Sequence, residues 1–384
     1  MQQETDSVPG MPNLLAKLAG AAARPLDQAV TLPPDAYSSD EFLQEEQARI
    51  FRKSWLCVGR ADELKVPGDY LTFDIGGQPI VSIMQPDGRI KTLANVCLHR
   101  SAKLLKDTGN CTRIICPYHA WTYDCAGQLL GAPHMEQARD FRPREFHLPE
   151  IRTELWEGWI YATLDNSLPA VAEQLCGLKN RLAMFHMSKL IQIFRKDEVW
   201  HTNWKSLAEN FMESYHLFQL HATTVEPEMP TKTTVCVEGE PAYCLHHFWG
   251  IEGSAISTVH PSKNHILGED RRKYYDACIF PSHLVAGGHN FVFWLSLYPK
   301  SNCQVHVRWG VAMAPEHLAD VENRENYIKE TEAYFDLVNR EDQTLLEAMQ
   351  TAQHAPLTKP GRLSHFERPL WEFQKYLARS LSPA

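Results

Sequence analysis

Two short stretches, Cys97-Leu98-His99 and Cys116-Pro117-Tyr118-His119, constrain this chain more than any other feature. Each offers one thiol and one imidazole, and the sixteen residues between them must fold back to bring both to one place. Thiolate and imidazole together suit a transition metal of intermediate softness. Because each pair is mixed, a two-metal cluster can take both thiolates on one iron and both imidazoles on the other.

That division of ligands defines a Rieske [2Fe–2S] centre, in which two neutral imidazoles raise the reduction potential above that of an all-thiolate cluster. The same four donors also suit tetrahedral zinc. Common zinc arrangements keep the two Cys together and the two His together, whereas both pairs here are mixed. The surrounding sequence reads as short strands at 70–74, 79–84 and 112–115, with turns at 76–77, 86–88 and 125–127. Both Cys/His pairs therefore fall in loops at strand ends, the arrangement that lets two loops share one cluster.

At 384 residues, with 44% hydrophobic and 22% charged side chains, the chain is expected to be globular, with two domains favoured over one. A net charge of −9 argues against sequence-independent nucleic-acid binding and against docking on anionic lipid. The N-terminus lacks the basic and apolar regions of a secretory signal, and no apolar run reaches the roughly 18 residues of a membrane helix. Ten scattered cysteines do not resemble a secreted disulfide scaffold. A cytoplasmic protein with reduced thiols and no membrane partner is expected.

The rest of the pattern is mixed. An Ala/Leu-rich piece spans 14–23, and a helix runs from 38 to 51 with Ser or Asp as N-cap. Its apolar residues Phe42, Leu43, Ile50 and Phe51 share a face that Glu46 and Gln47 interrupt. Helical sequence follows near 167–184 and 203–220, strands near 232–250, 274–283, 289–298 and 303–314, and a long helix over 318–352. The expected fold is α+β, with an all-β domain (55–164) inserted into a larger domain (165–384) that also recruits an N-terminal helical segment (1–54).

A second metal site is expected at His216 and His221. Five residues apart, they stand about 140° apart on a regular helix, so both can face one ion only where the helix ends or distorts. Two His and one carboxylate form the facial triad of non-haem Fe(II) oxygenases. Glu213 lies three residues before His216, placed to fix its tautomer, and Asn210 one turn earlier. The third ligand is expected from the long helix, whose inward stripe reads Ile328, Phe335, Val338, Leu345, Leu346 and Met349. Asp342 falls on that stripe, where a carboxylate is costly unless paired or metal-bound. Glu341 is the second choice, with Glu347 and Asp336 on the solvated face. Phe248, Trp249, Tyr274, Tyr275, Phe291, Phe293 and Trp294 are candidates for pocket walls, with strand packing the plainer role for most.

With both sites in view, the sequence resembles the catalytic α-subunit of Rieske non-haem iron oxygenases, the aromatic-ring-hydroxylating oxygenases. The resemblance rests on the two Cys/His pairs, on Glu209-Asn210 through His221, and on Asn339-Arg340-Glu341-Asp342. It implies that Cys97 and Cys116 hold one iron of the cluster, that His99 and His119 hold the other, and that His216, His221 and Asp342 hold a mononuclear iron. It also implies a helix-grip (START-like) catalytic domain and a homotrimer, with Glu213 as the acidic electron-transfer bridge between subunits and Asn210 near the iron. The implied activity is that of a terminal oxygenase using O2 and a separate NAD(P)H-dependent flavin/iron–sulfur reductase. Its product would be a hydroxylated or oxidatively demethylated aromatic compound or quaternary or methylated amine.

No Gly-x-Gly-x-x-Gly fingerprint places the reductase in the same chain. Glu213, where many relatives have Asp, resembles the carnitine, choline and betaine branch; Leu217 departs from it, since that branch often has Cys there. Ser101 and Ala120 stand where relatives commonly have Gly. A reading of another class is an electron-transfer or regulatory protein that kept the fold without turnover.

Overall fold

The computed structural model describes residues 10–254, 259–263 and 266–382; the first residues read above for a signal lie outside that range. A seven-stranded antiparallel sheet runs, in spatial order, Leu56–Arg60, Trp159–Thr163, Glu150–Trp156, Ile90–Ala94, Gln78–Met84, Asp69–Ile75 and Thr108–Asn110. A three-stranded sheet of Ile114–Ile115, Thr122–Tyr123 and Leu129–Gly131 lies beside it. Both expected hairpin turns at 76–77 and 86–88 join neighbouring strands. Thr112 and Arg113 lie in a bend rather than in the expected strand.

The second half is another seven-stranded antiparallel sheet, ordered Ile191–Trp200, Gln304–Met313, Phe291–Ser301, His283–Gly287, Lys273–Ile279, Tyr243–Trp249 and Val235–Glu240. The two large sheets are tied by buried polar contacts. Arg308, 3% exposed, donates to the carbonyls of Val58 (2.6 Å) and Thr72 (3.0 Å) and to Asp197 (2.8 Å). Ser296 Oγ donates to the Cys57 carbonyl at 2.6 Å. Charge-assisted bonds of this kind are strong when buried.

The N-terminal segment joins the second half. Helix Met11–Ala22 packs on the C-terminal helix Arg368–Leu381. Helix Asp40–Arg49 is capped by Ser39, whose Oγ accepts from Phe42 N at 3.1 Å. Glu46 does not interrupt this helix's apolar face as expected. It is fully buried, 2.8 Å from Lys205 Nζ, and accepts from Trp204 Nε1 at 3.0 Å.

The expected helix over 318–352 divides into Pro315–Ala319 and Arg324–Gln353, because the Asn323 side chain caps the second piece by accepting from Asn326 N. Its inward stripe is Phe335, Asn339, Leu346 and Gln350. Leu345 and Met349, expected inside, are about two-fifths exposed, at 40% and 41%. The interior here is partly polar: Gln350 Oε1 accepts from Asn203 N at 2.6 Å. Asp336 and Glu347 are half-buried rather than solvated, the first paired with Lys196 and the second accepting from His201 N. Helix Arg368–Leu381 was not anticipated, although Leu370, Phe373, Leu377 and Leu381 form its buried stripe at helical spacing. Among the described residues, no helix is long and apolar enough to cross a membrane.

Candidate metal centres and their cavity

The two Cys/His loops adopt one backbone pattern. Cys97 N donates to Ala102 O and Ser101 N to Cys97 O; correspondingly, Cys116 N donates to Trp121 O and Ala120 N to Cys116 O. Each loop thus turns back on its cysteine over the same number of residues. Ser101 and Ala120, both at φ 56°, sit at the matching left-handed position of the two turns. The cysteines are buried while both imidazoles are exposed, and the His99 and His119 rings lie 4.7 Å apart. Trp121 stacks on His99 at 4.9 Å, and the Tyr123 hydroxyl lies 3.3 Å from Cys97 Sγ while accepting from Leu98 N.

This donor set fits a cluster with its thiolate end inward and its imidazole end at the surface. It fits a single ion poorly. Among the described residues, His216, His221 and Asp342 are the group of three donors that converge within 4.8 Å, and no three of the quartet do. Burial pushes the Cys97 thiol up, so metal must drive its deprotonation.

The left-handed turns carry a prediction. A non-glycine residue in that region costs roughly 1–2 kcal/mol, partly offset by the greater chain entropy that Gly loses on folding. Ser101→Gly and Ala120→Gly are each expected to stabilise these loops by up to about 1 kcal/mol. The measurement is the temperature at which the iron–sulfur absorbance is lost, and an unchanged or lower midpoint would refute the strain.

At the second centre the local sequence breaks the helix as required. Helix Trp204–Phe211 starts at Asn203, whose side chain accepts from Lys205 N, and gives way to irregular backbone at 212–214. A four-residue helix, Leu217–Leu220, then has His216 as N-cap and His221 as C-cap, leaving the imidazole rings 5.1 Å apart. His216 Nδ1–H donates to Glu213 Oε1 and His221 Nδ1–H to Glu341 Oε2, both at 2.6 Å. Thr224 Oγ1 steadies Glu341 from 2.8 Å. These bonds turn both Nε2 atoms toward Asp342 Oδ1, 3.8 Å from His216 and 3.0 Å from His221.

Two imidazole nitrogens and one carboxylate oxygen converge, each imidazole backed by a second carboxylate, a donor set that fits Fe(II) with open positions. Burial disfavours the charged form of both rings, yet the carboxylates outweigh it and raise their pKa: Glu213, Asp342 and Asp276 for His216, and Asp342 and Glu341 for His221. The site is electrostatically prepared for a cation.

Glu341, the second choice for the third ligand, instead orients His221. Its neighbour Asp342 is rotated about 100° along the same helix, which separates the two tasks. Asn210 lines the adjoining cavity. Beneath the His turn, Glu209 Oε2 accepts from the Tyr37 hydroxyl at 2.6 Å, and burial pushes its carboxyl up to about 7.

A cavity of about 370 Å³ opens beside the triad. Of the seven candidate aromatics, Tyr274, Phe291 and Phe293 line it, joined by Tyr334 and Phe335 from the long helix. Phe248, Tyr275 and Trp294 are buried in the core, and Trp249 packs on His247.

A chain with a two-loop Cys/His quartet in one β-sheet unit and a His/His/Asp triad beside a cavity in another is a two-centre iron protein of the Rieske oxygenase class. The model of the Rieske [2Fe-2S] domain matches residues 54–147, and that of the ring hydroxylating alpha subunit (catalytic domain) matches residues 192–382. The chain belongs to the Rieske ring-hydroxylating oxygenase α-subunit family, whose cofactors are the [2Fe–2S] cluster and a mononuclear iron.

Among its relatives, the carnitine monooxygenase oxygenase subunit of Acinetobacter baumannii is 33% identical over 200 residues, 51% of this chain and 53% of the relative. The glycine betaine monooxygenase oxygenase subunit of Pseudomonas aeruginosa is 31% identical over 194 residues, 50% of this chain and 45% of the relative. The match thus spans about half the length of these curated relatives. Chloroplastic choline monooxygenase of Spinacia oleracea is 26% identical over 93% of this chain and 80% of its own.

The fold matches the quaternary ammonium Rieske monooxygenase CntA with L-carnitine at TM-score 0.79 and 22% identity, covering 98% of this chain and 100% of that one. It also matches naphthalene 1,2-dioxygenase from a Rhodococcus species at TM-score 0.77 and 17% identity, covering 96% and 97%.

Proposed function

We propose that this chain is the terminal oxygenase of a Rieske-type system that hydroxylates or oxidatively demethylates a small organic substrate. The observation that carries the reading is the His216/His221/Asp342 triad, each imidazole held by its own carboxylate, opening onto an aromatic-walled cavity. Cys97 and Cys116 would hold one cluster iron, His99 and His119 the other, and His216, His221 and Asp342 the mononuclear iron. When bound, the cluster supplies single electrons and the mononuclear iron supplies O2 activation. For a methylated substrate the overall balance is R–CH3 + O2 + NAD(P)H + H⁺ → R–CH2OH + H2O + NAD(P)⁺, with NAD(P)H oxidised by a separate flavin/iron–sulfur reductase.

The chain's own residues do the positioning. Glu213 and Glu341 each accept a hydrogen bond from an Nδ1–H, which keeps both Nε2 lone pairs on the cavity side. Phe291, Phe293 and Phe335 give the cavity an apolar wall. Asn210 reaches the same space.

The domain limits follow as 1–54, 55–164 and 165–384, and the assembly as a cytoplasmic homotrimer in which the imidazole face of one subunit meets the Glu213 face of the next. Two features support that contact. The exposed His99 and His119 are flanked by exposed Leu98, Ile115 and Tyr118, while Tyr215 and Phe218 are exposed beside His216. Such apolar exposure is characteristic of a surface covered by a partner.

The test is substrate-dependent NADH consumption with a generic reductase, over a panel of aromatic acids and methylated amines. About three iron atoms and two acid-labile sulfides per chain are expected, in a single trimeric species. Zinc in place of iron, or NADH consumption indifferent to every substrate, would overturn the reading.

A further inference from the structure

We infer that the substrate is an organic ammonium ion without a carboxylate, and that Asp276 selects it by holding the cationic nitrogen against aromatic walls. This rests on the oxygenase reading above and goes on to name what the cavity accepts. Tyr274 and Asp276 alternate with Tyr275 along strand Lys273–Ile279, so both point to the face that borders the cavity. Tyr274 packs on Phe291 at 5.8 Å, and Phe293 stacks on Phe335 at 4.7 Å. Ring faces so grouped attract an ammonium through their quadrupoles.

The charge of the lining supplies the second half. Asp276 Oδ2 stands 3.2 Å from His246 Nε2, but Oδ1 is buried without a hydrogen-bond partner among the described residues. A carboxylate with one oxygen shielded and unpartnered is costly, and because Asp276 borders the cavity the field of a cation there offsets that cost without contact to Oδ1. Beyond the triad and Glu213, the lining adds Glu228 and Glu330, and the described lining residues include no Lys or Arg. Away from the metal ligands, a substrate carboxylate would meet Asp276, Glu228 and Glu330 and no Lys or Arg among the described lining residues. Carnitine and glycine betaine, named for two relatives, carry such a group; choline, named for a third, does not.

The experiment compares binding to the iron-loaded full-length protein by isothermal titration. The probes are choline, its uncharged isostere 3,3-dimethyl-1-butanol, and glycine betaine. The native protein is expected to prefer choline to the isostere by at least about tenfold and to bind betaine more weakly than either. Asp276→Asn should bring the choline-to-isostere ratio close to one while leaving the isostere's Kd and the iron–sulfur spectrum in place; both would shift if the variant were merely misfolded. Asp276→Glu keeps the charge and should keep the ratio.

A ratio unchanged in Asp276→Asn, or betaine bound as tightly as choline, overturns the inference and leaves the oxygenase reading intact. Turnover of an aromatic acid with no ammonium bound does the same. A normal choline preference without any NADH-coupled turnover supports the role of Asp276 and instead sinks the oxygenase reading.

Discussion

Replacing His216 by alanine is expected to abolish oxygenation while leaving the visible iron–sulfur spectrum unchanged. His216 supplies one of three converging donors, and its Nδ1 anchors Glu213 at 2.6 Å. Removing a residue that merely orients a metal ligand costs about 10–100-fold in affinity or activity, so loss of a ligand itself should cost at least about 100-fold in turnover. The Cys/His quartet lies in a different hydrophobic cluster, around Val81, Leu93, Trp121 and Leu148, and has no need of the imidazole. Iron content should fall from about three atoms per chain to about two, with acid-labile sulfide constant. Unchanged turnover would remove the mononuclear-site assignment. If neither parent nor variant turned over any substrate, the alternative of a Rieske protein without catalysis would gain.

The His pair could be read from sequence because its geometry is local: spacing alone demands a broken helix, and a break after Phe211 is what the chain adopts. The quartet is equally local, and Ser101 and Ala120, which stand where relatives commonly have Gly, occupy left-handed backbone. Periodicity places Asp342 on the inner side of its helix, where its carboxylate meets His216 and His221, although the buried stripe there is not the one expected. Leu345 and Met349 are apolar but turn outward, while Asn339 and Gln350 turn inward. A helix buried partly against polar groups hides its inner face from any hydropathy pattern.

Glu341 illustrates what remained illegible. Its bond to His221 spans 120 positions, and its direction depends on how helix Arg324–Gln353 is rotated against the His turn. The free oxygen of Asp276 and the burial of Glu46 have the same origin. In sequence each is a charge with no visible partner, and the simplest reading of such a charge is a solvated surface.

Lys205 and Glu46 lead to the second large effect. Both are 0% exposed, 2.8 Å apart, and join helix Asp40–Arg49 to the helix that carries the His turn. Lys205 also lies over the rings of Tyr37, Phe42 and Trp204 at 5.7, 5.4 and 5.3 Å, and its charge is felt by Glu209. Burial pushes the Glu46 carboxyl up and the Lys205 ammonium down, and each partner's charge opposes that shift in the other.

Lys205→Met leaves Glu46 buried without its counter-charge and is expected to destabilise the protein by about 3–5 kcal/mol in urea titrations. The His turn should loosen with it, so loss of the mononuclear iron should precede loss of the cluster. Adding Glu46→Gln removes the stranded charge, and the double variant should recover most of the stability, because an uncharged buried pair avoids the desolvation of two ions. A Lys205→Met protein as stable as the parent, or a double variant no better than the single, would mean that Glu46 is held neutral in the native state.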